Sequence, residues 1–467
     1  MPIESCDVMK YQTFSYFAEP AGLHYIAEAV SREGIEVEIY DMFLDADPDQ
    51  LMGFISEYRP GVVGLSSLIL GYDNVGLLSG LIKKAYPEIM IVVGGPCTFM
   101  PSKVMMQHDH AVDYIIKGEG EEAFTLLSKL YFNGSWDELH KIEGLAYRID
   151  EQVIENSKFH YIDPAVMRFP IERFKDYNDA MKGSIMTLMM GEPPIAFIEA
   201  SRGCKFRCSF CGVHEPYRIR PPEIVVDEMI LLNQRYNVRK FVFADYSFTA
   251  DQGHAERICE LVISKGLKIE WACDTRVDCV SLPLLKLMKK AGCRVIFYGI
   301  ESFFQETLDA LHKRTDVSTI KEAIKNTRKA MIQSLAYMML GAPGETREMI
   351  LKNSETLNSI GVDYALFGVT RLFCGTPLFE QAVKRGIIDR DHGQECCLSG
   401  NIDYIPVYGD TLSYEDMKAL EMQVVRKFYF RFGYIVRRFL SIRDFSELRR
   451  LVKYLLQFTI KRAARPC

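Results

Sequence analysis

One short stretch of the sequence decides the fold: Ala196-Phe-Ile-Glu-Ala-Ser-Arg-Gly-Cys204-Lys-Phe-Arg-Cys208-Ser-Phe-Cys211. It sets a short apolar strand directly before three cysteines with the spacing C-x3-C-x2-C. Three thiolates on one loop can hold three irons of a 4Fe–4S cube and leave the fourth iron open, because soft sulfur ligands suit iron. The alternatives are a structural zinc site, with His214 as the fourth ligand, and chance core cysteines. The spacing favours the cluster, and its open iron favours catalysis.

The composition is that of a globular enzyme. The chain has 467 residues, of which 48% are apolar and 25% charged, and this balance excludes disordered and collagen-like proteins. Thirteen cysteines do not indicate a disulfide scaffold here, since the first residues are acidic and polar where a secretory signal would be basic and then apolar. No apolar window reaches the ~18 residues of a membrane span. We therefore expect a cytoplasmic protein whose cysteines are reduced thiols or metal ligands.

Residues 1–140 alternate between predicted helices and short apolar strands. Helices are predicted at 21–31, at 73–86 and after Gly118, and strands at 34–41, 61–65, 89–93 and 114–116. This alternation is typical of a Rossmann-like parallel sheet, which binds its ligand at the carboxyl ends of its strands. Residues 7–17 make a poor first strand. No G-x-G-x-x-G is present, so a dinucleotide site is not indicated.

From residue 191 to about 390 the chain repeats a strand, a polar or glycine-containing turn and a helix. After the strand before the cysteines, further strands are indicated within 241–249, 271–278, 295–302 and 338–346, and Cys374-Gly-Thr-Pro-Leu378 follows the last one. The repeat predicts a partial (β/α)6 barrel. Residues 141–190, which begin with a short hairpin, are predicted to be a connector. Residues 391–467 are predicted to form a loop and basic amphipathic helices.

The cysteine motif and these landmarks resemble the radical S-adenosylmethionine (SAM) enzymes over roughly residues 195–385. The resemblance implies that Cys204, Cys208 and Cys211 ligate a 4Fe–4S cluster whose fourth iron is chelated by SAM. It also implies SAM contacts at the strand ends, from Asp245 to the ammonium, from Arg276 to the carboxylate, from Glu301 and Ser302 to the ribose, and from Gly341 and Pro343 beside the adenine.

Structural roles stay open for each of these SAM residues. Asp245 would also suit a helix cap or a core ion pair, and Arg276 a pair with Asp278 or Glu301. Gly341 would also suit a turn. The adjacent Cys396 and Cys397 lie beyond the barrel. They would be an active-site thiol pair, or incidental cysteines of a loop.

The N-terminal part resembles the cobalamin-binding domain that precedes this barrel in one subfamily of radical SAM enzymes. The similar pieces are Pro20-Ala-Gly-Leu23, Gly34 to Asp41, Gly64-Leu-Ser-Ser67, Gly94-Gly-Pro96 and Gly118-Glu-Gly-Glu121. The resemblance implies cobalamin contacts from Gly64, Ser66, Gly94, Gly95, Gly118 and Glu119. No Asp-x-His-x-x-Gly occurs, so a histidine lower ligand to cobalt is not indicated. Cys97 stands where the family more often has histidine.

The C-terminal tail is strongly basic. From Val424 to Cys467 there are twelve Lys and Arg against two acidic residues, a net charge of +10 in a chain whose total is −6. An apolar stripe recurs at helical spacing, in Leu420, Val424, Phe428, Phe432, Ile435 and Phe439, and Asp444 to Glu447 are expected to cap a second helix. These helices would pack on the barrel with a solvated basic face, or attach to an anionic membrane surface. Nucleic acid is not expected, because no stacking aromatic module accompanies the charge.

The resemblance implies a cobalamin-dependent radical SAM enzyme that methylates an unactivated carbon. A 5′-deoxyadenosyl radical would remove hydrogen from the substrate, and methylcobalamin would deliver the methyl group. The alternative is a non-methylating cyclase or rearrangement enzyme acting on a tetrapyrrole or a lipid. A non-catalytic iron–sulfur or corrinoid-binding protein is opposed by the SAM landmarks. We expect a small-molecule or lipid-like substrate, an electron donor such as flavodoxin or ferredoxin, and a place in the cytoplasm or at the inner face of the membrane.

Overall fold

The computed structural model describes residues 20–42, 44, 47–157, 159, 161–174, 185–213 and 215–440. Three features of the sequence lie outside these residues: the weak first strand at 7–17, His214, and the second tail helix from Asp444.

A five-stranded sheet and five helices form the N-terminal part. The sheet has the order β1-β2-β3-β4-β5, in which β1 to β3 are parallel and the β4–β5 hairpin is antiparallel, with β1 at Val62–Ser66, β2 at Met90–Gly94, β3 at Tyr114–Ile116, β4 at Leu145–Ile149 and β5 at Gln152–Glu155. The helices are α1 at Ala21–Arg32, α2 at Pro48–Tyr58, α3 at Asp73–Ala85, α4 at Ser102–His108 and α5 at Gly120–Asn133. The sheet therefore extends past residue 140 through the hairpin.

The predicted strand at residues 34–41 is wrong. Half-buried Ile35 and Val37 alternate with exposed Glu36 and Glu38, as the sequence indicates, but the segment pairs with no strand in the described part of the chain. Period-two alternation predicts which face of an extended segment is buried. It does not predict a hydrogen-bonded partner, which depends on register with a second segment.

The C-terminal part is an open barrel of parallel strands. Its six-stranded sheet has the order β13-β12-β11-β10-β9-β6, with β6 at Ile195–Ile198, β9 at Lys240–Phe243, β10 at Glu270–Thr275, β11 at Cys293–Glu301, β12 at Gln333–Leu340 and β13 at Tyr364–Val369. The short antiparallel pair β7 (Ser201–Arg202) and β8 (Arg218–Ile219) brackets the cysteine motif. All neighbouring pairs in the six-stranded sheet are parallel, and its end strands β6 and β13 are not paired with each other. The predicted α/β architecture with a partial (β/α)6 barrel is confirmed.

Helices surround this sheet and fill its interior. They are α6 at Ile185–Met190, α7 at Pro222–Tyr236, α8 at Gln252–Ser264, α9 at Leu282–Lys290, α10 at Gln305–Ala310, α11 at Val317–Lys329, α12 at Arg347–Ile360, α13 at Pro377–Lys384, α14 at Arg390–Leu398, α15 at Tyr414–Tyr429 and α16 at Phe432–Leu440. Methionines of α6, including Met186 and Met190, pack against Ile195, Val295 and Leu335 near the starts of their strands. The apolar plug occupies the amino ends, so the carboxyl ends are left for a site.

The apolar stripe of the tail divides between two helices. Leu420, Val424 and Phe428 of α15 are buried on the barrel, whereas Phe432 of α16 is 84% exposed and Ile435 is 52% exposed. The chain leaves the first helix at Phe430, and the stripe does not stay on one surface across that break. None of the helices in the described ranges combines the length and the apolar character that crossing a membrane requires.

Candidate functional site

The three motif cysteines lie on one loop between β7 and β8. Cys204, Cys208 and Cys211 are free thiols that are partly exposed, and the amide of Cys211 donates to the carbonyl of Cys208 over 3.2 Å. Burial raises the pKa of both Cys208 and Cys211. Among the described side chains, no three potential ligands converge on one point as the ligands of a single ion would. The cysteines of a 4Fe–4S cube each bind a separate iron, so they need not converge on one point.

Gly203 closes the loop at its amino end. Its φ is +71°, and a Cβ there would collide with the carbonyl oxygen of Pro216 on the opposite side of the loop. The amide of Cys204 donates to the carbonyl of Glu215 over 3.3 Å. Only glycine can adopt this left-handed backbone and also allow this close approach. Gly203 therefore fixes the path of the chain from β7 to Cys204.

Two buried cations stand beside the cysteine loop. Nη1 of Arg276 lies 3.7 Å from Sγ of Cys208, and its guanidinium stacks on the Phe206 ring with 3.9 Å to the centroid. Nζ of Lys313 is 2.9 Å from Oε1 of Glu301, with both side chains under a tenth exposed. Positive charge here opposes the effect of burial on the Cys208 pKa. Positive charge stabilises thiolates, and it stabilises the electron that a cluster must accept.

Arg276 pairs with Asp278, which is one of the structural partners that the sequence allowed. Its Nε and Nη2 form a fork with the carboxylate of Asp278 at 2.9 and 2.7 Å, and Nη2 also donates to the carbonyl of Lys313 at 2.6 Å. With Cys208 as a further acceptor, most of the five N–H donors of the guanidinium are engaged. The arginine therefore belongs to the surroundings of the cluster loop.

Asp245 lies just past β9 and is buried. Its carboxylate accepts hydrogen bonds from the Ala200 amide at 3.0 Å and from the Ser201 hydroxyl, so it joins the end of β9 to the start of β7. Burial raises its pKa to about 7. Asp274 of β10, which the sequence analysis missed, has a pKa raised to about 8 by burial and by the neighbouring Asp245. The sequence signal that could have found Asp274 is an acidic residue two positions before Arg276 on a barrel strand.

Glu301 is the last residue of β11, Ser302 follows it, and the two side chains have different partners. Glu301 has φ +66° and pairs with Lys313, and a Cβ at Gly299 would collide with both of their side-chain ends. Ser302 is fully buried, and its hydroxyl accepts from Nδ2 of Asn353 at 3.1 Å. The strand end is thus held by Lys313, from the loop between α10 and α11, and by Asn353 of α12.

The turn from Gly341 to Pro343 is held by Glu345. Its carboxylate accepts from the Gly341 amide at 2.8 Å and from Asn353 at 3.0 Å, and burial raises its pKa to about 7. Gly341 has φ +74°, and a Cβ there would collide with the side chain of Met417 on α15. Sequence reasoning missed Lys313, Glu345 and Asn353. Glu345 supports the turn at Gly341 from nearby in the chain, whereas Lys313 and Asn353 contact Glu301 and Ser302 from later positions.

A second candidate site lies at the edge of the first sheet formed by the carboxyl ends of β1 and β2. Gly95 has φ +87°, and a Cβ there would collide with the Ser66 hydroxyl, so the two loops approach closely only because this residue is glycine. Gly94 has no neighbour within 4 Å of an added Cβ, whereas Gly64 faces the Phe124 ring of α5. Leu68 on the same edge is 61% exposed. This edge offers open backbone and apolar surface to a flat ligand.

Gly118 and Glu119 begin the turn after β3. Gly118 has φ +86°. Both carboxylate oxygens of Glu119 accept hydrogen bonds from Arg218 of β8, at 2.6 and 3.0 Å. Burial raises the pKa of Glu119, but these bonds and the charges of Arg218 and Arg202 outweigh it and hold that pKa below its usual range. The side chain predicted to contact cobalamin is therefore engaged by the barrel part of the chain.

Phe99 lies between the edge of the first sheet and the cysteine loop. It follows β2, and its ring lies against Gly212, next to Cys211 of the cysteine loop. Its carbonyl oxygen and ring also lie against Gly375, in the loop after β13, where a Cβ would collide. The loop after β2 therefore lies against the cysteine loop and the loop after β13, so the two candidate sites are neighbours.

Comparison with known proteins first defines the class. The model of the Radical SAM superfamily matches residues 198–357, so the cysteine loop and the barrel are those of a radical SAM enzyme. The model of the B12 binding domain matches residues 11–128. The chain belongs to the radical SAM enzymes that carry a B12-binding domain, and its cofactors are a 4Fe–4S cluster, SAM and cobalamin. These predictions are confirmed.

The chain is similar to proteins of two named activities. An uncharacterised methyltransferase of Pyrococcus horikoshii is 26% identical over 381 residues, which cover 79% of each chain. The anaerobic magnesium-protoporphyrin IX monomethyl ester cyclase of Cereibacter sphaeroides is 28% identical over 376 residues, which cover 78% of this chain and 60% of the cyclase. The solved structure of the cobalamin-dependent SAM radical enzyme OxsB, with aqua-cobalamin and SAM bound, shares the fold, with a TM-score of 0.71, 15% identity, and coverage of 97% of this chain and 70% of that one.

Proposed function

We propose that the protein transfers a methyl group to an unactivated carbon. The observation that carries this proposal is the contact of Phe99 with Gly212 and Gly375, which sets the open edge of the B12-binding sheet against the loop of the cluster cysteines. When bound, the cluster and SAM supply a 5′-deoxyadenosyl radical and methylcobalamin supplies the methyl group. A shared space lets one substrate carbon meet both reagents, which a radical methyl transfer requires.

The chain's own residues bind and orient in this proposal. Cys204, Cys208 and Cys211 hold three irons, and Arg276 and Lys313 place positive charge beside them. The apolar plug of α6 keeps water out of the barrel from its amino ends. We assign SAM contacts to strand-end residues, namely Asp245, Arg276, Glu301, Ser302, Gly341 and Pro343, and cobalamin contacts to Gly64, Ser66, Gly94, Gly95, Gly118 and Glu119.

The proposed domains are those read from the sequence. They comprise a cobalamin domain at 1–140, a connector at 141–190, a barrel at 191–390 and a C-terminal segment at 391–467. The β4–β5 hairpin, which pairs with β3, supports counting the beginning of the connector with the first sheet.

A second candidate function is ring formation without methyl transfer, because one relative is a magnesium-protoporphyrin ester cyclase. Anaerobic reconstitution with iron, sulfide, cobalamin and SAM, followed by incubation with reductant and extracts of the host's lipids and tetrapyrroles, separates the two. We expect 5′-deoxyadenosine and S-adenosylhomocysteine to rise together with a methylated product. 5′-Deoxyadenosine with a cyclised product and no S-adenosylhomocysteine would favour the cyclase.

The substrate is proposed to be a small or lipid-like molecule, and the electron donor a flavodoxin or ferredoxin. We place the protein in the cytoplasm, with peripheral contact to the inner face of the membrane through α16. The exposed side chains of Phe432 and Ile435 support this contact, together with the +10 charge of the tail.

A further inference from the structure

Two arginines join the cysteine loop to the B12-binding domain. Arg202 and Arg218 are paired across β7 and β8, the two short strands that bracket the loop. Their carboxylate partners come from the turn Gly118-Glu-Gly-Glu121, which follows β3 of the first sheet. The junction thus connects the part of the chain that holds iron with the part that holds cobalamin.

The contacts of this junction are short and numerous. Arg218 holds both oxygens of Glu119 and also donates to the carbonyl of Ile162 at 2.7 Å. Nη1 of Arg202 is 2.7 Å from Oε1 of Glu121 and 3.2 Å from Oε1 of Glu119, while its Nε is 3.0 Å from Oε2 of Glu199. Two guanidinium groups are thereby shared among three carboxylates.

The burial of these charged side chains determines how much the junction contributes to the stability of the protein. The side chains of Arg202 and Glu121 are 12% and 9% exposed. Buried ion pairs add little net stability, because the cost of desolvating the charges offsets their attraction, yet removing one partner leaves an uncompensated charge. Forked, fully occupied arginines do fix geometry. The junction is better explained as a device for alignment than as a source of stability.

We infer that Arg202 is a positioning residue that fixes the distance between the cobalt and the iron–sulfur cluster. Only Gly203 separates it from Cys204, and a Cβ at Gly203 would collide with the Pro216 carbonyl oxygen, so the chain passes close to the opposite side of the loop here. A shift of the B12-binding domain is therefore passed through Arg202 to the first cluster ligand. The inference rests on the proposed function only in requiring both cofactors to be bound.

Magnetic coupling between the two centres tests this inference. The reduced cluster and cob(II)alamin are both paramagnetic, so the cluster speeds the relaxation of the cobalt signal at short distance. In Arg202→Met we expect the microwave power needed to saturate the cob(II)alamin EPR signal to fall toward its value with an oxidised cluster. The matched control is Arg294→Met, which removes an arginine of similar exposure (10%) paired with Glu270 near the starts of β11 and β10. Unchanged saturation in Arg202→Met would overturn the inference.

A second measurement keeps the inference testable if Arg202→Met loads its cofactors poorly. Glu121→Gln weakens the arm to the B12-binding domain and leaves Arg202 paired with Glu199. In the unloaded protein, we expect faster hydrogen exchange at residues 118–121 and 201–203 in both variants, and intermediate rates in Arg202→Lys. Equal exchange in all variants contradicts the inference. Neither readout depends on methyl transfer, so failure of the proposed function is distinguishable from failure of this one.

Discussion

Arg276 is a buried cation beside one of the three motif cysteines. It points one nitrogen at Cys208 and is held there by Asp278, by the Lys313 carbonyl and by the Phe206 ring. Reduction of a cluster adds negative charge, which a neighbouring cation stabilises. The position of Arg276 therefore bears on how easily the cluster accepts an electron.

Replacing Arg276 is expected to make the reduction potential of the cluster more negative. Arg276→Met removes the cation beside Cys208, and we expect a shift on the order of tens of mV in an EPR-monitored redox titration. Arg294→Met, in which the lost ion pair is remote from the loop, should leave the potential unchanged. An unaltered midpoint in Arg276→Met would show that the guanidinium does not act on the cluster.

Asp245 makes the stability of the protein depend on pH. Its pKa rises from 3.8 to about 7 on burial, so the native protein keeps a proton that the unfolded chain releases between these values. The free energy of unfolding must then fall as pH rises through this window. In the protein without cofactors, Asp245→Asn is expected to remove up to ~4 kcal/mol of that fall, at ~1.4 kcal/mol per pKa unit.

Thermal unfolding from pH 4 to pH 7 measures this change. The control is Asp227→Asn, which removes an exposed carboxylate paired with Lys265 and should keep the slope of the wild-type protein. If the two variants have the same slope, Asp245 is ionised in the folded protein at neutral pH.

At the level of elements, the cysteine loop depends on its first glycine. Gly203→Ala adds a Cβ that collides with the Pro216 carbonyl at a left-handed backbone position. Gly266→Ala is a matched control, since Gly266 has φ +65° and no neighbour within 4 Å of the added atom. We expect Gly203→Ala to lose iron after reconstitution, while Gly266→Ala keeps it at a cost of ~1 kcal/mol. Full iron content in Gly203→Ala would contradict this.

The sequence predicted elements better than the contacts between them. Cysteine spacing and strand-ending polar residues located the cluster loop and the barrel, because both signals are local in the chain. The pairing of Glu119 with Arg218, and the hydrogen bond from Asn353 to Ser302, depend on side chains that meet only after folding. The segment at 34–41 failed for the same reason, since alternation is local and strand pairing is not.

At the level of the whole molecule, α16 is the surface that we propose for contact with the membrane. Phe432 and Ile435 are exposed at the start of the basic tail. We expect wild-type protein to sediment with vesicles that contain anionic phospholipid and not with neutral ones, and the variant with Phe432→Ser and Ile435→Ser to bind several-fold less. Met331→Ser, which removes another exposed apolar side chain (75%), should not change binding. Equal sedimentation of all three proteins would assign the tail a purely internal role.

Tyr429 of α15 has a consequence for how the protein behaves in concentrated solution. Its hydroxyl accepts from the amide of Ala365 at 3.0 Å and donates to the carbonyl of the same residue at 2.8 Å, on the side of β13 that faces away from β12. A bare strand edge is a template for pairing with another chain. The helix thus occupies the amide and carbonyl of Ala365 on this edge, and we expect a chain cut before Tyr414 to expose them and to aggregate more readily.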